Sequence, residues 1–387
     1  MGYQEDYKTF SQSYHPGKDA FFSDDEIEII NVTFHSRFTS ELDKLDIECP
    51  EIQHIIREDS AFSENRNFTY PVIRNKHQVQ SSEVIILFHG LNERSWIKYL
   101  PWGKALAIKT GHPVILFPIS FHMNRSPESW SKPRRMLPLV KKRKEKIQGL
   151  REASVANAAI SNRLHEYPQR FLISGLETYF DVLNLVDMLH QGKHPLLKQH
   201  KKVHFFGYSI GALLTQVLMM TNKKERFSGS KAFLFCGGTT LDKMQGDSRY
   251  ILDSAAFEAL KNCYVSEGFC LKIGDLTGEK PGKIKAETAF SSMMNSEVND
   301  NFRNSSLKAL KNRFRICALE KDDVIPAKAV RETFSAALDK VEDVVASLDF
   351  PFAYSHVTPF PCANNRDEVN RAFDVVFNKA ADFLKKN

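Results

Sequence analysis

The 387-residue chain is 42% hydrophobic and 26% charged, which excludes a wholly disordered, collagenous or coiled-coil protein and leaves one large α/β domain with insertions or two ordinary domains. Its net charge of +6 is local: residues 132–151 hold nine lysines and arginines against Glu145 alone, and the remainder carries 44 basic and 46 acidic residues. A stretch of this kind is a solvated helix or loop face, or a surface that favours anionic or membrane-held substrates; no RNP, zinc-finger or helix-turn-helix pattern accompanies it, so nucleic acid is not an expected partner.

In chain order, the first twenty residues contain no apolar h-region. Asp6 stands where myristoylation of Gly2 would want Ser or Thr. The apolar runs are far shorter than the roughly 20 residues needed to span a bilayer. These features predict a soluble, cytoplasmic protein with no transmembrane segment. Residues 1–65, acidic in places (SDDEIEII), form an N-terminal extension of unassigned role, and the main domain is expected over 66–387.

Six apolar runs then recur: VIILF (84–88), PVILFPI (113–119), VHFF (203–206), AFLFC (232–236), FRICAL (314–319) and VVASLDF (344–350). They are β-branched or aromatic and do not alternate strictly, as in strands buried on both faces of a parallel sheet. Helical spacing lies between them. Leu176, Tyr179, Phe180, Leu183, Val186 and Leu189 share one face, ended by Gly192 and Pro195; Val369, Ala372, Phe373, Val376, Ala380, Phe383 and Leu384 share another. The alternation predicts an α/β fold, a mostly parallel sheet flanked by helices. The intervals 121–170 and 241–310 are too long for simple crossovers and are expected to form cap or lid insertions.

Cys49, Cys236, Cys263, Cys270, Cys317 and Cys362 make no CxxC pair and read as reduced thiols, not as a disulfide frame or zinc site. The pairs His190/His194 and His200/His204 are four apart, but Gly192 and Pro195 interrupt the first and the second runs into a strand, so metal binding is not expected. No Walker loop or GxGxxG occurs. Trp96, Trp102 and Trp130 read as core or lid packing, with substrate stacking the other use for them.

VHFF leads into Gly207-Tyr208-Ser209-Ile210-Gly211 and an apolar helix. A serine at G-x-S-x-G between strand and helix sits at the tip of a sharp, strained turn, and glycines two before and two after remove side chains that would clash. The helix N-terminus directs free N–H groups at the reacting oxygen. The N–H of Ile210 is therefore one candidate oxyanion donor. VIILF runs into His89-Gly90-Leu91-Asn92, and the N–H of Leu91 is the second. His89 reads as a turn-shaping residue more readily than a base.

A serine hydroxyl needs a base. FRICAL is followed by Glu320-Lys321-Asp322-Asp323-Val324-Ile325-Pro326, a place to hold an ionised carboxylate, and after it only one histidine remains, His356. HG after the first core strand, G-x-S-x-G after the third run and an acid followed by a histidine together resemble the α/β-hydrolase superfamily, over about 66–120, 171–240 and 311–387. FPISFHMNRSPESW looks like an uncharacterised bacterial branch of it. The resemblance implies an acid four residues before the proline, which is Asp322, with Asp323 as runner-up and Asp242 a further alternative. It implies that Ser209 attacks a carbonyl, His356 shuttles the proton, Asp322 orients the imidazole, and an acyl-enzyme forms without metal or organic cofactor. The implied protein is a serine hydrolase of esters, thioesters or lipid esters. An acyltransferase and a catalytically silent binding protein are the alternatives on the same fold.

Overall fold

All six apolar runs become strands because each buries side chains on both faces. In β4 (Glu83–Phe88), Val84, Ile86 and Phe88 enter one core while Ile85 and Leu87 enter the other. In β6 (Lys202–Tyr208), Val203 and Phe205 face the first and Phe206 and Tyr208 the second. β5 (Val114–Leu116), β7 (Ala232–Phe235), β8 (Phe314–Leu319) and β9 (Val345–Leu348) complete a parallel half. With β1 (Ala20–Phe22), β2 (Ile27–His35) and β3 (Asn67–Asn75) the sheet has nine strands in the order β1-β2-β3-β5-β4-β6-β7-β8-β9. β1, β2, β3 and β5 pair antiparallel, and every pair from β5 through β4 to β9 is parallel. This mostly parallel sheet flanked by helices is the α/β-hydrolase layout. The computed structural model describes residues 2–22, 27–38, 50–76, 81–266, 285–362 and 365–385; Cys49, Cys270 and 267–284 of the second long interval lie outside them.

One core lies between the sheet and the Arg170–His190, Ile210–Thr221 and Lys285–Met294 helices. The other lies beneath the Leu100–Thr110 and Arg366–Lys385 helices. The described residues of 1–65 are not set apart from the sheet. β2 pairs with β3 from Ile27↔Asn75 to His35↔Asn67. The Tyr3–Ser13 helix stacks Tyr3 on Phe373 at 4.5 Å and pairs Asp6 with Lys104 at 2.6 Å. The expected boundary at 65/66 therefore falls inside the fold: β1 and β2 form one end of the sheet.

The interval 121–170 contains the Pro133–Lys146 and Ala158–Glu166 helices, and 241–310 contains the Ser254–Lys261, Lys285–Met294 and Asp300–Ala309 helices. The two are tied together. Arg143 forks onto Asp253 with two bonds of 2.8 Å, and Asp253 in turn caps the Ser254–Lys261 helix through Ala256 N–H at 3.0 Å. Every other cation of the basic stretch is exposed. No helix among the described residues is long and apolar enough to cross a membrane.

Candidate active site

Ser209 joins β6 to the Ile210–Thr221 helix at φ 56°, ψ −121°, a region L-residues rarely occupy and one that costs about 1–3 kcal/mol unless the surroundings enforce it. The surroundings do: Ser209 N–H donates to the Phe235 carbonyl at 3.2 Å, and the Ser209 carbonyl accepts Ala212 N–H at 2.9 Å. A Cβ on Gly207 would stand 2.7 Å from Ala212 Cα, and one on Gly211 2.7 Å from the Phe88 carbonyl oxygen. Both obstacles are backbone and cannot rotate away, so the turn requires glycine at each.

His356 comes from the loop between β9 and the Arg366–Lys385 helix. Its Nε2 lies 2.8 Å from Ser209 Oγ, and its Nδ1 lies 2.8 Å from Asp322 Oδ2. Asp322 Oδ1 accepts the N–H groups of Val324 at 3.0 Å and Ile325 at 2.7 Å, which fixes the carboxylate at the end of β8. A carboxylate on Nδ1 selects the Nδ1–H tautomer and leaves the Nε2 lone pair facing the hydroxyl. All three side chains are buried. The imidazole stacks on Tyr208 with ring centres 5.5 Å apart, and the Tyr208 hydroxyl donates to the His356 carbonyl. Of the other carboxylates considered, Asp323 is exposed, and Asp242 accepts from Ser296 Oγ at 2.6 Å.

The loop after β4 passes close over the nucleophile: a Cβ on Gly90 would lie 3.5 Å from Ser209 Cβ. Leu91, the next residue, lines one cavity with Ile210, the first residue of the helix, whose N–H is outside the intrahelical ladder. His89 shapes this loop. Its Nδ1–H donates to the Gly90 carbonyl at 2.8 Å and its Nε2 accepts Ile119 N–H at 2.9 Å, so both nitrogens are spent. Burial pushes its pKa down to about 3 and keeps the ring neutral. A polar cluster that the sequence reading did not single out supports the same loop. Tyr99 Oη accepts Gly90 N–H at 3.0 Å and donates to Glu93 at 2.8 Å. Lys98 pairs with Glu93 and reaches the Val357 carbonyl at 3.3 Å. Asn92 donates to the Ala156 and Tyr250 carbonyls at 3.0 and 2.8 Å, binding both long intervals to the loop. The run of polar residues Asn92-Glu93-Arg94 directly after His89-Gly90-Leu91 was the available signal.

Two cavities adjoin at Leu91. A cleft of about 380 Å³ is lined by Ser209, His356, Val357, Asn92, Arg94 and Trp130. A small, mostly apolar cavity of about 50 Å³ is lined by Leu91, Ile210, Ile119, Leu213, Phe290 and Met294. Trp96 and Trp102 are core residues, whereas Trp130 is half-buried at the cleft. His194 is bonded to Tyr70 at 2.7 Å and His204 to Glu83 at 2.9 Å. No group of His, Cys, Asp and Glu suited to a metal ion occurs among the described residues.

A profile of the family of unknown function DUF6051 matches residues 1–385. The sequence matches no curated protein. Among solved structures, the chain is similar to carboxyl esterase 2 from the mycorrhizal fungus Tuber melanosporum at 12% identity, over 99% of this chain and 97% of that one, TM-score 0.48. It is similar to the hyperthermophilic esterase of the archaeon Pyrobaculum calidifontis at 11% identity over 98% and 90%, TM-score 0.42. A cold-adapted esterase from an Arctic intertidal metagenomic library is similar at 11% identity over 95% and 97%, TM-score 0.41.

Proposed function

We propose that this chain, which belongs to the family of unknown function DUF6051, is a serine hydrolase of the α/β-hydrolase superfamily that cleaves a carboxylic ester, thioester or lipid ester through an acyl-enzyme. The observation that carries the reading is the unbroken relay Asp322–His356–Ser209, two contacts of 2.8 Å, ending on a serine held at φ 56°. Ser209 Oγ attacks the carbonyl carbon as His356 Nε2 takes its proton, and Asp322 stabilises the imidazolium that forms. The negative charge on the carbonyl oxygen falls to the N–H groups of Leu91 and Ile210, each such donor contributing about 3 kcal/mol. The tetrahedral intermediate collapses, His356 protonates the leaving group, and the acyl group stays on Ser209. Water then attacks, giving its proton to His356, and the carboxylic acid and free serine are released.

The direction of proton transfer assigns the two cavities. His356 hands its proton to the leaving group, so the leaving group occupies the cleft that His356 and Val357 line. The acyl group lies across Leu91 and Ile210, in the apolar cavity. At about 50 Å³ that cavity takes a short chain. The described residues of 121–170 and 241–310 act together as the cap over both, and the exposed cations of the Pro133–Lys146 helix draw anionic or membrane-held substrates toward it. A fluorophosphonate probe tests the reading: it labels the wild-type protein, and Ser209→Ala abolishes labelling. Absence of label on folded wild-type protein, with a small nucleophile-independent ligand shown to enter the cleft, would favour a silent binding protein.

A further inference from the structure

We infer that Arg94 is the residue by which the cleft recognises a negatively charged group, a carboxylate or phosphate monoester, on the leaving-group side of the substrate. Its role as a substrate determinant rests on the hydrolase reading; its capacity to bind an anion does not. Arg94 lines the same cleft as Ser209, His356 and Val357, and its side chain is partly buried there. Its guanidinium donates to two neutral acceptors, the Phe121 carbonyl at 3.1 Å and Asn92 Oδ1 at 2.9 Å. Its charge is not matched: among the described residues no carboxylate lies within ion-pairing distance of it.

The surrounding cations differ from it in this respect. Arg163 pairs with Asp59 at 2.8 Å, Arg125 with Asp181 at 3.0 Å, and Arg143 with Asp253 at 2.7 Å. Arg170 and Lys98 pair with Glu58 and Glu93. Glu93 is the one acid lining the cleft among the described residues, and Lys98 and Tyr99 already engage it. The cleft therefore keeps one uncompensated positive charge. Burial, reinforced by the neighbouring Arg163, pushes the Arg94 pKa down to about 10, which leaves it charged near neutral pH.

A charge withdrawn from water without a counter-ion is costly, and an arriving anion relieves that cost. Guanidinium is suited to this because its planar fork meets carboxylate and phosphate oxygens two at a time. Trp130 supplies a flat apolar wall beside the charge, its ring centre 5.1 Å from the Arg94 guanidinium carbon and 5.4 Å from that of Arg163. The leaving group that fits is an alcohol or phenol bearing an anion, with an unsaturated or ring portion able to lie against Trp130. The short acyl group lies on the other side of Leu91.

The experiment has a binding arm and a turnover arm. In the binding arm, the non-reacting Ser209→Ala protein is titrated calorimetrically with 4-hydroxybenzoate, its neutral isostere 4-hydroxybenzamide, and phenyl phosphate. An anion should bind about tenfold or more tightly than the amide, with the advantage shrinking as salt rises. Adding Arg94→Gln should bring anion and amide to about the same affinity, while Arg94→Lys, which keeps charge but loses the fork, should retain part of the preference. In the turnover arm, wild-type kcat/KM for 4-acetoxybenzoate or 4-acetoxyphenyl phosphate should exceed that for 4-acetoxybenzamide by about the same factor, mainly through KM. Whichever anion gives the larger factor identifies the natural group. No preference for either anion in the wild-type background, or a preference that survives Arg94→Gln, overturns the inference. Arg94-dependent anion binding with no ester turnover and no fluorophosphonate label would leave the anion site standing and remove the hydrolase reading instead.

Discussion

The turns at the ends of β6 and β8 and the two long intervals are held by different kinds of contact. Around Ser209 each constraint has backbone on at least one side: the Phe235 carbonyl on the Ser209 N–H, the Val324 and Ile325 N–H groups on the Asp322 carboxylate, and glycines where no Cβ fits. The intervals 121–170 and 241–310 are joined mostly by side chains, through Arg143–Asp253, Asn157 on the Ser248 carbonyl at 3.0 Å, and Asn92 reaching into both, beside a backbone bond from Ser254 N–H to the Arg151 carbonyl at 3.1 Å. The bonds on Ser209 and on the Asp322 carboxylate thus come from the ends of the strands rather than from the two intervals. Damage to the relay should abolish turnover without unfolding the protein, and damage to the side-chain ties should loosen the fold while leaving the relay intact.

The largest effect expected on that contrast separates two adjacent carboxylates. Asp322→Asn keeps the size of the side chain but lets an amide N–H face Nδ1, which favours the wrong imidazole tautomer. Turnover should fall on the order of 10⁴-fold. Asp323→Asn alters an exposed neighbour and should change turnover by less than about twofold. Equal losses in the two variants, measured on one ester at one pH, would detach Asp322 from the relay.

The second effect falls on the other region. Arg143 and Asp253 are buried, and truncating one partner leaves the other charge uncompensated. Arg143→Ala should lower unfolding free energy by about 3–5 kcal/mol in urea. The protein that remains folded should still take a fluorophosphonate label, because nothing in the Ser209 turn touches that pair. A variant of wild-type stability, or a folded variant that no longer reacts, would merge the two regions into one.

The same division decided what could be read from sequence. The six parallel strands were legible because burial on both faces removes polar residues from the run, and the serine turn was legible because its sterics demand glycine at fixed offsets. The carboxylate could be narrowed to the end of β8 but was assigned by resemblance, since only the folded chain leaves Asp323 exposed and Asp322 covered. β2 and β3 were missed. β3 reads NFTYPVIRN, and a proline in a run argues against a strand, yet Pro71 is accommodated opposite Asn31. The ties of Arg143 and Asn92 were illegible for another reason: their partners lie 110 and 158 residues away, and no periodicity relates a polar side chain to so distant a group.

The smallest effect concerns acid, and again it falls on one region. His89 is buried and neutral beneath the Gly90–Leu91 loop, with a folded pKa of about 3 against an ordinary value of 6.5. Between those values the unfolded chain binds a proton that the folded chain refuses, so stability is fully present above about pH 6.5 and is lost as pH falls through the window. From about pH 6.5 to 4 this one ring should remove about 3 kcal/mol. His112, His122, His190, His194, His200 and His204 are also depressed by burial and add to the slope in the same direction. His89→Gln supplies a donor for the Gly90 carbonyl and an acceptor for the Ile119 N–H without titrating in this range. It should make urea stability less steep in pH below 6.5 without making it flat, the other depressed histidines supplying what remains. An unchanged slope would mean that the ring takes up its proton while folded, and the Gly90–Leu91 loop would then rest on contacts other than the two His89 bonds.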